Sequence, residues 1–203
     1  MCATASAQGG FLLRVVVPFT DLRPETYRAA RDWVDGCEFV AMEDDYAYGR
    51  LLCRLWREGE DFLLAEHDMN WTREQIARMD ECKHGYCANP YPWTTTVGPA
   101  LGFTRFSEDF LVTYPDAAEI ACRIPSNYGE PGYWKQLDVW LMAAVLRDYY
   151  HEQPHCHLPP VEHLNEGRSL LPIYTGNPVT TSVLGRTYLP PGMVERIAHE
   201  LRS

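Results

Sequence analysis

The chain has 203 residues, of which 46% are hydrophobic and 23% charged, and its formal net charge is -10. This length and composition suit one compact domain with a sizeable core and exclude intrinsic disorder as the main state. No apolar run approaches the roughly 20 residues that a membrane-spanning helix needs, and the excess of acidic residues disfavours binding to a phosphate backbone.

The first half of the chain alternates short apolar runs with segments of helical periodicity. Pro24 and Thr72 stand at positions typical of helix starts, and Gly36 and Gly59 at positions typical of helix ends. The predicted strands cover 12–17, 38–42 and 61–65, and the predicted helices follow them from Pro24 onward, over 46–57 and over 72–82. This order predicts an α/β fold, a single domain with a mostly parallel central sheet flanked by helices.

The second half is richer in proline, glycine and histidine. Residues 83–102 are predicted to form a loop, and 153–167 an extended segment. Helices are predicted over 107–114, 133–150 and 192–202. We expect a flexible tail at 1–10, one catalytic domain over 11–166, and an extension over 167–203 that packs on the same domain.

Seven cysteines are spread along the chain without a Cys-x-x-Cys pair. Several lie in apolar surroundings, for example Cys37 and Cys53, which is typical of buried free thiols in a reducing compartment. The apolar run near the start is short and interrupted by Arg14, so it does not resemble a secretory signal. We therefore expect a cytoplasmic protein.

The third predicted strand ends at the triplet Glu66-His67-Asp68. Ligands of open α/β sheets bind at the carboxyl ends of the strands, and the spacing of two places Glu66 and Asp68 on one side. Two carboxylates aimed together can hold a divalent cation, which in turn neutralises a diphosphate. No glycine-rich phosphate loop follows the first strand, so neither a Rossmann fingerprint nor a P-loop is predicted.

Two further features have more than one interpretation. His155, His157 and His163 lie within nine residues and either form a zinc site together or supply one histidine that completes a carboxylate metal site. Asp138 lies near the start of the predicted helix over 133–150. It either complements the helix dipole or serves as a general base that activates a hydroxyl.

Six short motifs follow one another along the chain. They are Pro-Phe-Thr at the first strand end, an acidic cluster after the second strand, Glu-His-Asp after the third, then Gly-Phe-x-x-Phe-Ser, Trp-x-x-Leu-Asp and His-x-His-x-Pro-x-x-x-His. In this order and spacing, residues 12–166 resemble the small bacteriophage-type glycosyltransferases of the GT-A fold superfamily. The resemblance implies a nucleotide-sugar-binding fold with a metal-dependent site.

The resemblance also implies roles for individual residues. Asp68 and His163 would hold Mn2+ or Mg2+, and Asp138 would be the catalytic base. Glu66 stands where the superfamily has the first Asp of its Asp-x-Asp motif. The nucleotide sugar would contact the other residues that match the motifs: Pro18, Phe19, Thr20, Glu43, Asp44, Arg50, Glu66, His67 and Gly102.

These roles describe an enzyme that moves a sugar from a nucleoside-diphosphate sugar to a hydroxyl acceptor with inversion. The acceptor would be a phage virion protein or a hydroxylated DNA base, and the net charge favours a protein or small acceptor over duplex DNA. If a phage encodes it, the enzyme would act in the cytoplasm of the host cell, without a membrane partner. A zinc-dependent hydrolase that uses the three histidines, and a non-catalytic nucleotide-sugar-binding module, are the alternatives.

Overall fold

The computed structural model describes residues 13–34, 36–92, 97–98, 100–126, 129–165, 168–169 and 189–203. Its strands are β1 (Arg14–Phe19), β2 (Glu38–Ala41), β3 (Phe62–Ala65), β4 (Met69–Asn70), β5 (Tyr86–Ala88), β6 (Tyr91–Pro92), β7 (Val97–Gly98), β8 (Phe103–Phe106), β9 (His155–Cys156), β10 (Glu162–Asn165) and β11 (Arg168–Ser169). Its α-helices are α1 (Pro24–Trp33), α2 (Ala47–Glu58), α3 (Arg73–Glu81), α4 (Glu108–Thr113), α5 (Ala117–Arg123) and α6 (Met193–Arg202). A 3-10 turn (Trp134–Gln136) and a π-helix (Val139–Tyr149) lie between α5 and β9.

Six strands form the central sheet in the order β2-β1-β3-β8-β5-β9. Five of them run in one direction, and β8 runs antiparallel to its neighbours β3 and β5. Two smaller sheets have the orders β11-β10-β4 and β6-β7. The predicted single α/β domain with a mostly parallel sheet flanked by helices is therefore confirmed at this level.

The first half of the chain forms the predicted strand–helix pairs, and their ends differ by a residue or two. Thr72 caps α3 as predicted, with its side chain bound to the Gln75 amide and the Gln75 side chain bound to the Thr72 amide. Gly59 ends α2 in the left-handed conformation, at φ 68°. Strong apolar periodicity and good capping residues made these elements readable.

The first strand does not stop at Pro18, as we expected, but continues to Phe19. The Phe19 carbonyl accepts a hydrogen bond from the Met42 amide, so the polar groups of Phe19 face β2 and the neighbouring nitrogen of Pro18 faces away from β2. The described pairing of β1 with β3 ends at Val16, opposite Leu64. Pro18 therefore costs the sheet no ladder hydrogen bond, which explains why a proline is tolerated in this strand.

The second half contains more strands than the sequence predicts. The expected loop over 83–102 includes β5, β6 and β7, and the extended segment over 153–167 includes β9 and β10. These strands have two to four residues, which is too few for an alternation of polar and apolar side chains to show. The next strand, β8, has four residues, and all of its side chains are buried. The short helix α5 was not predicted either.

The predicted helix over 133–150 is instead the 3-10 turn followed by the π-helix. The Tyr150 amide binds the carbonyl of Val145, five residues earlier, which is the π-helical pattern. Seven consecutive residues from Trp140 to Leu146 are buried in this helix, which packs against α5.

The last helix packs on the same domain, because α6 contacts both α5 and the π-helix. Its Arg202 binds the carboxylate of Asp116 at 2.8 Å and the hydroxyl of Tyr150 at 3.0 Å. The predicted tail at 1–10, the start of the first predicted strand and most of the extension, at 170–188, lie outside the described residues. In the part of the chain that the structure describes, none of the helices has the length and apolarity to span a membrane.

Candidate functional site

The candidate site begins where β3 ends. The four residues of β3 are fully buried, and the chain then turns through Glu66, His67 and Asp68 before β4. The Glu66 amide binds the Gly102 carbonyl at 2.8 Å, and the Glu66 carbonyl accepts from the Met69 amide at 3.1 Å. The acidic triplet is therefore held by backbone hydrogen bonds at the carboxyl end of a central strand.

Asp68 and His163 lie together, although 95 residues separate them in the chain. The strand β10 pairs antiparallel with β4, which sets His163 opposite Met69, and the Leu164 amide binds the Asp68 carbonyl at 2.7 Å. This pairing brings His163 Nε2 to 3.0 Å from Asp68 Oδ2, with side chains that are 16% and 23% exposed. The other carboxylate oxygen, Asp68 Oδ1, is buried and has no hydrogen-bond partner.

The contact with His163 determines the ionisation of Asp68. Burial opposes the charged form, but the hydrogen bond and charge of His163 outweigh it and hold the pKa of Asp68 below its usual value. Asp68 is therefore an anion beside an imidazole nitrogen, which is a mixed oxygen and nitrogen donor pair.

Glu66 is fixed by a tyrosine of the neighbouring helix. The Tyr48 hydroxyl donates a hydrogen bond of 2.7 Å to Glu66 Oε1. Burial raises the pKa of Glu66 well above its usual value, and the negative charges of Asp138 and Asp68 raise it further. Three partly buried carboxylates thus lie close enough to influence one another's ionisation, a costly arrangement that is typical of functional sites.

Asp138 immediately precedes the π-helix, but its side chain makes no capping hydrogen bond to that helix. Its Oδ1 accepts a hydrogen bond of 2.8 Å from the Leu101 amide. Burial raises the pKa of Asp138 to about 6, the Leu101 amide partly offsets this, and the charge of Asp68 adds to the increase. The Asp138 carboxylate thus lies near the like charge of Asp68, and the Leu101 amide fixes its orientation.

Gly102 lies where a side chain would not fit. A Cβ atom there would be 2.7 Å from Met69 Cε, 2.7 Å from Tyr91 Oη and 2.8 Å from Glu66 Oε2. The Gly102 amide donates a hydrogen bond of 3.3 Å to the Tyr91 hydroxyl. The glycine of the Gly-Phe-x-x-Phe-Ser motif is therefore needed for the close approach of this turn to Glu66.

We expect Gly102→Ala to lower the free energy of unfolding by about 1–3 kcal/mol, because the added methyl displaces its neighbours. Urea denaturation measures this loss. The matched control is Gly59→Ala, whose Cβ would meet nothing within 4 Å and whose cost comes only from its positive φ. If Gly102→Ala is as stable as the parent chain, the close packing around Glu66 described above is wrong.

The carboxyl ends of β1 and β2 lie on the same side of the sheet as the acidic triplet. Pro18 is buried, Phe19 is half-buried and Thr20 is exposed. The His67 carbonyl accepts hydrogen bonds from the Thr26 hydroxyl at 2.7 Å and the Arg23 amide at 3.2 Å, which joins this turn to the start of α1. The nucleotide-binding roles of Pro18, Phe19, Thr20 and His67 stay predictions.

The acidic cluster after β2 is exposed and engaged locally. Asp44 accepts from the Tyr46 amide at 2.8 Å and binds Arg50 at 2.7 Å across the first turns of α2. This ion pair positions the Arg50 side chain next to Asp44. Arg50 belongs to α2, the helix that also carries Tyr48. Roles for Glu43, Asp44 and Arg50 toward a nucleotide stay predictions.

The three histidines divide between two places. His163 binds Asp68, whereas the rings of His155 and His157 contact each other with centroids 4.9 Å apart. Among the described residues, the set of three or more potential ligands whose donor atoms lie within 4.8 Å of one another is Cys82, Cys87 and His157. The sequence-based alternative of a zinc site made of His155, His157 and His163 is therefore not supported by the geometry.

Several contacts of the site were not predicted as such. Tyr48 and Tyr91 could be placed near the crevice, but not on Glu66 and Gly102, and nothing in the sequence indicated the Leu101 amide as the partner of Asp138.

Comparisons with known proteins give little further information. No protein-family model matches the chain, and no curated protein matches it significantly. Among solved structures, the chain is similar to the crystal structure of A197 from STIV, with a TM-score of 0.47 and 12% sequence identity over 78% of this chain and 90% of that chain.

Proposed function

We propose that the protein is a metal-dependent glycosyltransferase that uses a nucleoside-diphosphate sugar. The observation that carries the proposal is the contact of Asp68 with His163 at 3.0 Å, at the carboxyl end of β3 and in the electrostatic field of Asp138. A metal-ligand pair and a candidate base then share one crevice. The motif order that resembles the bacteriophage-type enzymes supports the same assignment.

The donor atoms of Asp68 and His163 fit Mn2+ or Mg2+. Asp68 Oδ2 and His163 Nε2 lie 3.0 Å apart, at hydrogen-bond distance, and these two atoms would hold the ion together. An oxygen and nitrogen pair suits Mn2+ better than Mg2+, which prefers oxygen ligands alone. When bound, the ion would neutralise the charge of the departing nucleoside diphosphate.

Asp138 is the group that would take up the acceptor proton. As the acceptor oxygen bonds to the anomeric carbon, the bond from that carbon to the diphosphate breaks, and the acceptor proton moves to Asp138. The Leu101 amide holds Oδ1 and so orients the carboxylate for this step. Attack opposite the leaving group gives inversion at the anomeric carbon.

Glu66 would contact the donor without taking part in the proton transfer. The Tyr48 hydroxyl binds Glu66 Oε1, and Glu66 Oε2 lies close to Gly102. A carboxyl group held in this way suits the recognition of a sugar or ribose hydroxyl. The net charge of -10 favours a virion protein or a small molecule as acceptor over duplex DNA.

A thermal-shift panel of nucleoside diphosphates, with and without Mn2+, tests the proposal. We expect one nucleoside diphosphate to raise the melting temperature by roughly 5–10 °C at 100 times its dissociation constant, and only with Mn2+. The increase should be absent in Asp68→Ala. The proposal fails if no nucleoside diphosphate stabilises the protein, or if stabilisation is the same in EDTA.

The alternative of a non-catalytic nucleotide-sugar-binding module predicts the same shift without turnover. The partly buried position and raised pKa of Asp138 favour the enzyme, since binding alone does not require a third carboxylate at this site. Release of nucleoside diphosphate from the sugar nucleotide that stabilises the protein separates the two, because a binding module releases none.

A further inference from the structure

A second cluster of metal-ligating side chains lies away from the acidic crevice. The donor atoms of Cys82, Cys87 and His157 all lie within 4.8 Å of one another. Cys82 follows the end of α3, Cys87 is the middle residue of β5, and His157 follows β9. Three segments from different parts of the chain thus bring two thiols and one imidazole together.

From this convergence we propose that Cys82, Cys87 and His157 bind a zinc ion. Cysteine and histidine are the usual ligands of zinc in proteins, and the Cys-x4-Cys spacing of the two thiols is within the range found in zinc sites. In a tetrahedral zinc site the ligand atoms lie roughly 3.6–3.8 Å apart, so small rotations of these side chains complete the geometry. Three protein ligands leave the fourth position to water.

The backbone around the three ligands is fixed by hydrogen bonds. The buried Arg105 donates to the Cys82 carbonyl at 3.0 Å and lies opposite Cys87 in the pairing of β8 with β5. The His157 amide binds the Ala88 carbonyl at 2.9 Å, beside Cys87. Hydrogen bonds therefore fix the chain around the three ligands. A metal site needs such support to hold its ligands in one geometry.

A free donor atom points to a ligand at this cluster. His157 Nε2 is buried and has no hydrogen-bond partner among the described residues. An imidazole nitrogen in that position can coordinate a metal ion without giving up another contact.

This site differs from the acidic crevice in the metal it selects. Thiolates and imidazole favour zinc, whereas a carboxylate with one imidazole accommodates Mn2+. Zinc at the cluster would tie the end of α3 to β5 and to the segment after β9, and so would act on stability. This zinc ion would take no part in the proposed transfer reaction.

The test uses the full chain, stripped of metal and kept reduced, with Zn2+ and Co2+ as probes. We expect one zinc per chain by elemental analysis after dialysis, and the strong visible absorption of tetrahedral cobalt with a thiolate charge-transfer band. Cys82→Ser and His157→Gln should each weaken zinc binding by more than about 100-fold. These ligands are only partly buried, which favours folding of both variants.

The matched control is Cys156→Ser, because Cys156 is an exposed thiol on the neighbouring strand and does not belong to the cluster. It should bind zinc and cobalt as the parent chain does, and so should Asp68→Asn. The inference is overturned if the parent chain retains no stoichiometric zinc, or if Cys82→Ser and Cys156→Ser bind it equally well.

Discussion

Replacing Asp68 by asparagine should lower metal-dependent sugar transfer by at least about 10³-fold, because the cation loses its anionic ligand and with it several kcal/mol of charge stabilisation. The substitution keeps the shape of the side chain and a partner for His163. It also removes one of three mutually repelling carboxylates, whose charge raises the pKa of Glu66 and of Asp138. His163 holds the pKa of Asp68 below its usual value, so the charged carboxylate contributes to stability at neutral pH, and we expect the variant to be modestly less stable than the parent chain in EDTA.

The measurement is release of nucleoside diphosphate from the preferred sugar nucleotide over a range of Mn2+ concentrations, beside a melting curve in EDTA. Asp109→Asn is a suitable control, because Asp109 is an exposed carboxylate on α4 and lies outside the site. Transfer by Asp68→Asn at the parental rate would show that Asp68 is not a metal ligand. A large loss of stability instead would show that its charge serves the fold.

The position of the acidic triplet was predictable because two local signals agree there. The apolar run before Glu66 is long enough to indicate a buried strand, and chemistry collects at the carboxyl ends of such strands. The strand and the turn that follows it lie where the sequence places them. The meeting of Asp68 with His163 followed only from the motif order, since no local pattern reveals the pairing of β4 with β10.

Other parts of the molecule depend on contacts that the sequence does not display. The antiparallel β8 is buried on both faces between β3 and β5, so its four residues show no alternation of polar and apolar side chains. The spacing of Cys82 and Cys87 was visible, but their third partner, His157, is brought in by the parallel pairing of β5 with β9. Long-range pairing of short strands decided both features.

A cluster of partly buried carboxylates costs folding free energy, and Glu66, Asp68 and Asp138 form such a cluster. The charge of Asp68 raises the pKa of Glu66 and of Asp138 in this partly buried cluster, and no ion pair with Lys or Arg is described for any of the three. Selection for stability alone would not retain such a cluster. The proposed function, with a bound cation and a proton transfer, would account for its presence.

Replacing Asp138 by asparagine should lower transfer about 10²–10⁴-fold while leaving the Mn2+-dependent binding of nucleoside diphosphate unchanged. The asparagine oxygen still accepts the hydrogen bond from the Leu101 amide, so the loop around Gly102 keeps its position. Loss of rate without loss of binding distinguishes a base from a metal ligand. Equal losses of both in this variant and in Asp68→Asn would contradict the separate role of Asp138.

The same substitution should change how stability depends on pH in the metal-free protein. The pKa of Asp138 is about 6 when folded, above its ordinary value of 3.8, so the folded state holds a proton that the unfolded chain releases. Stability from this group is present at low pH and is lost as the pH rises toward 6, by roughly 3 kcal/mol in total. Asp138→Asn cannot lose it, since it carries no charge at any pH. Urea denaturation in EDTA should therefore show nearly equal stabilities near pH 4 and a more stable variant at pH 7. Equal stabilities at both values would show that folding does not raise the pKa of Asp138.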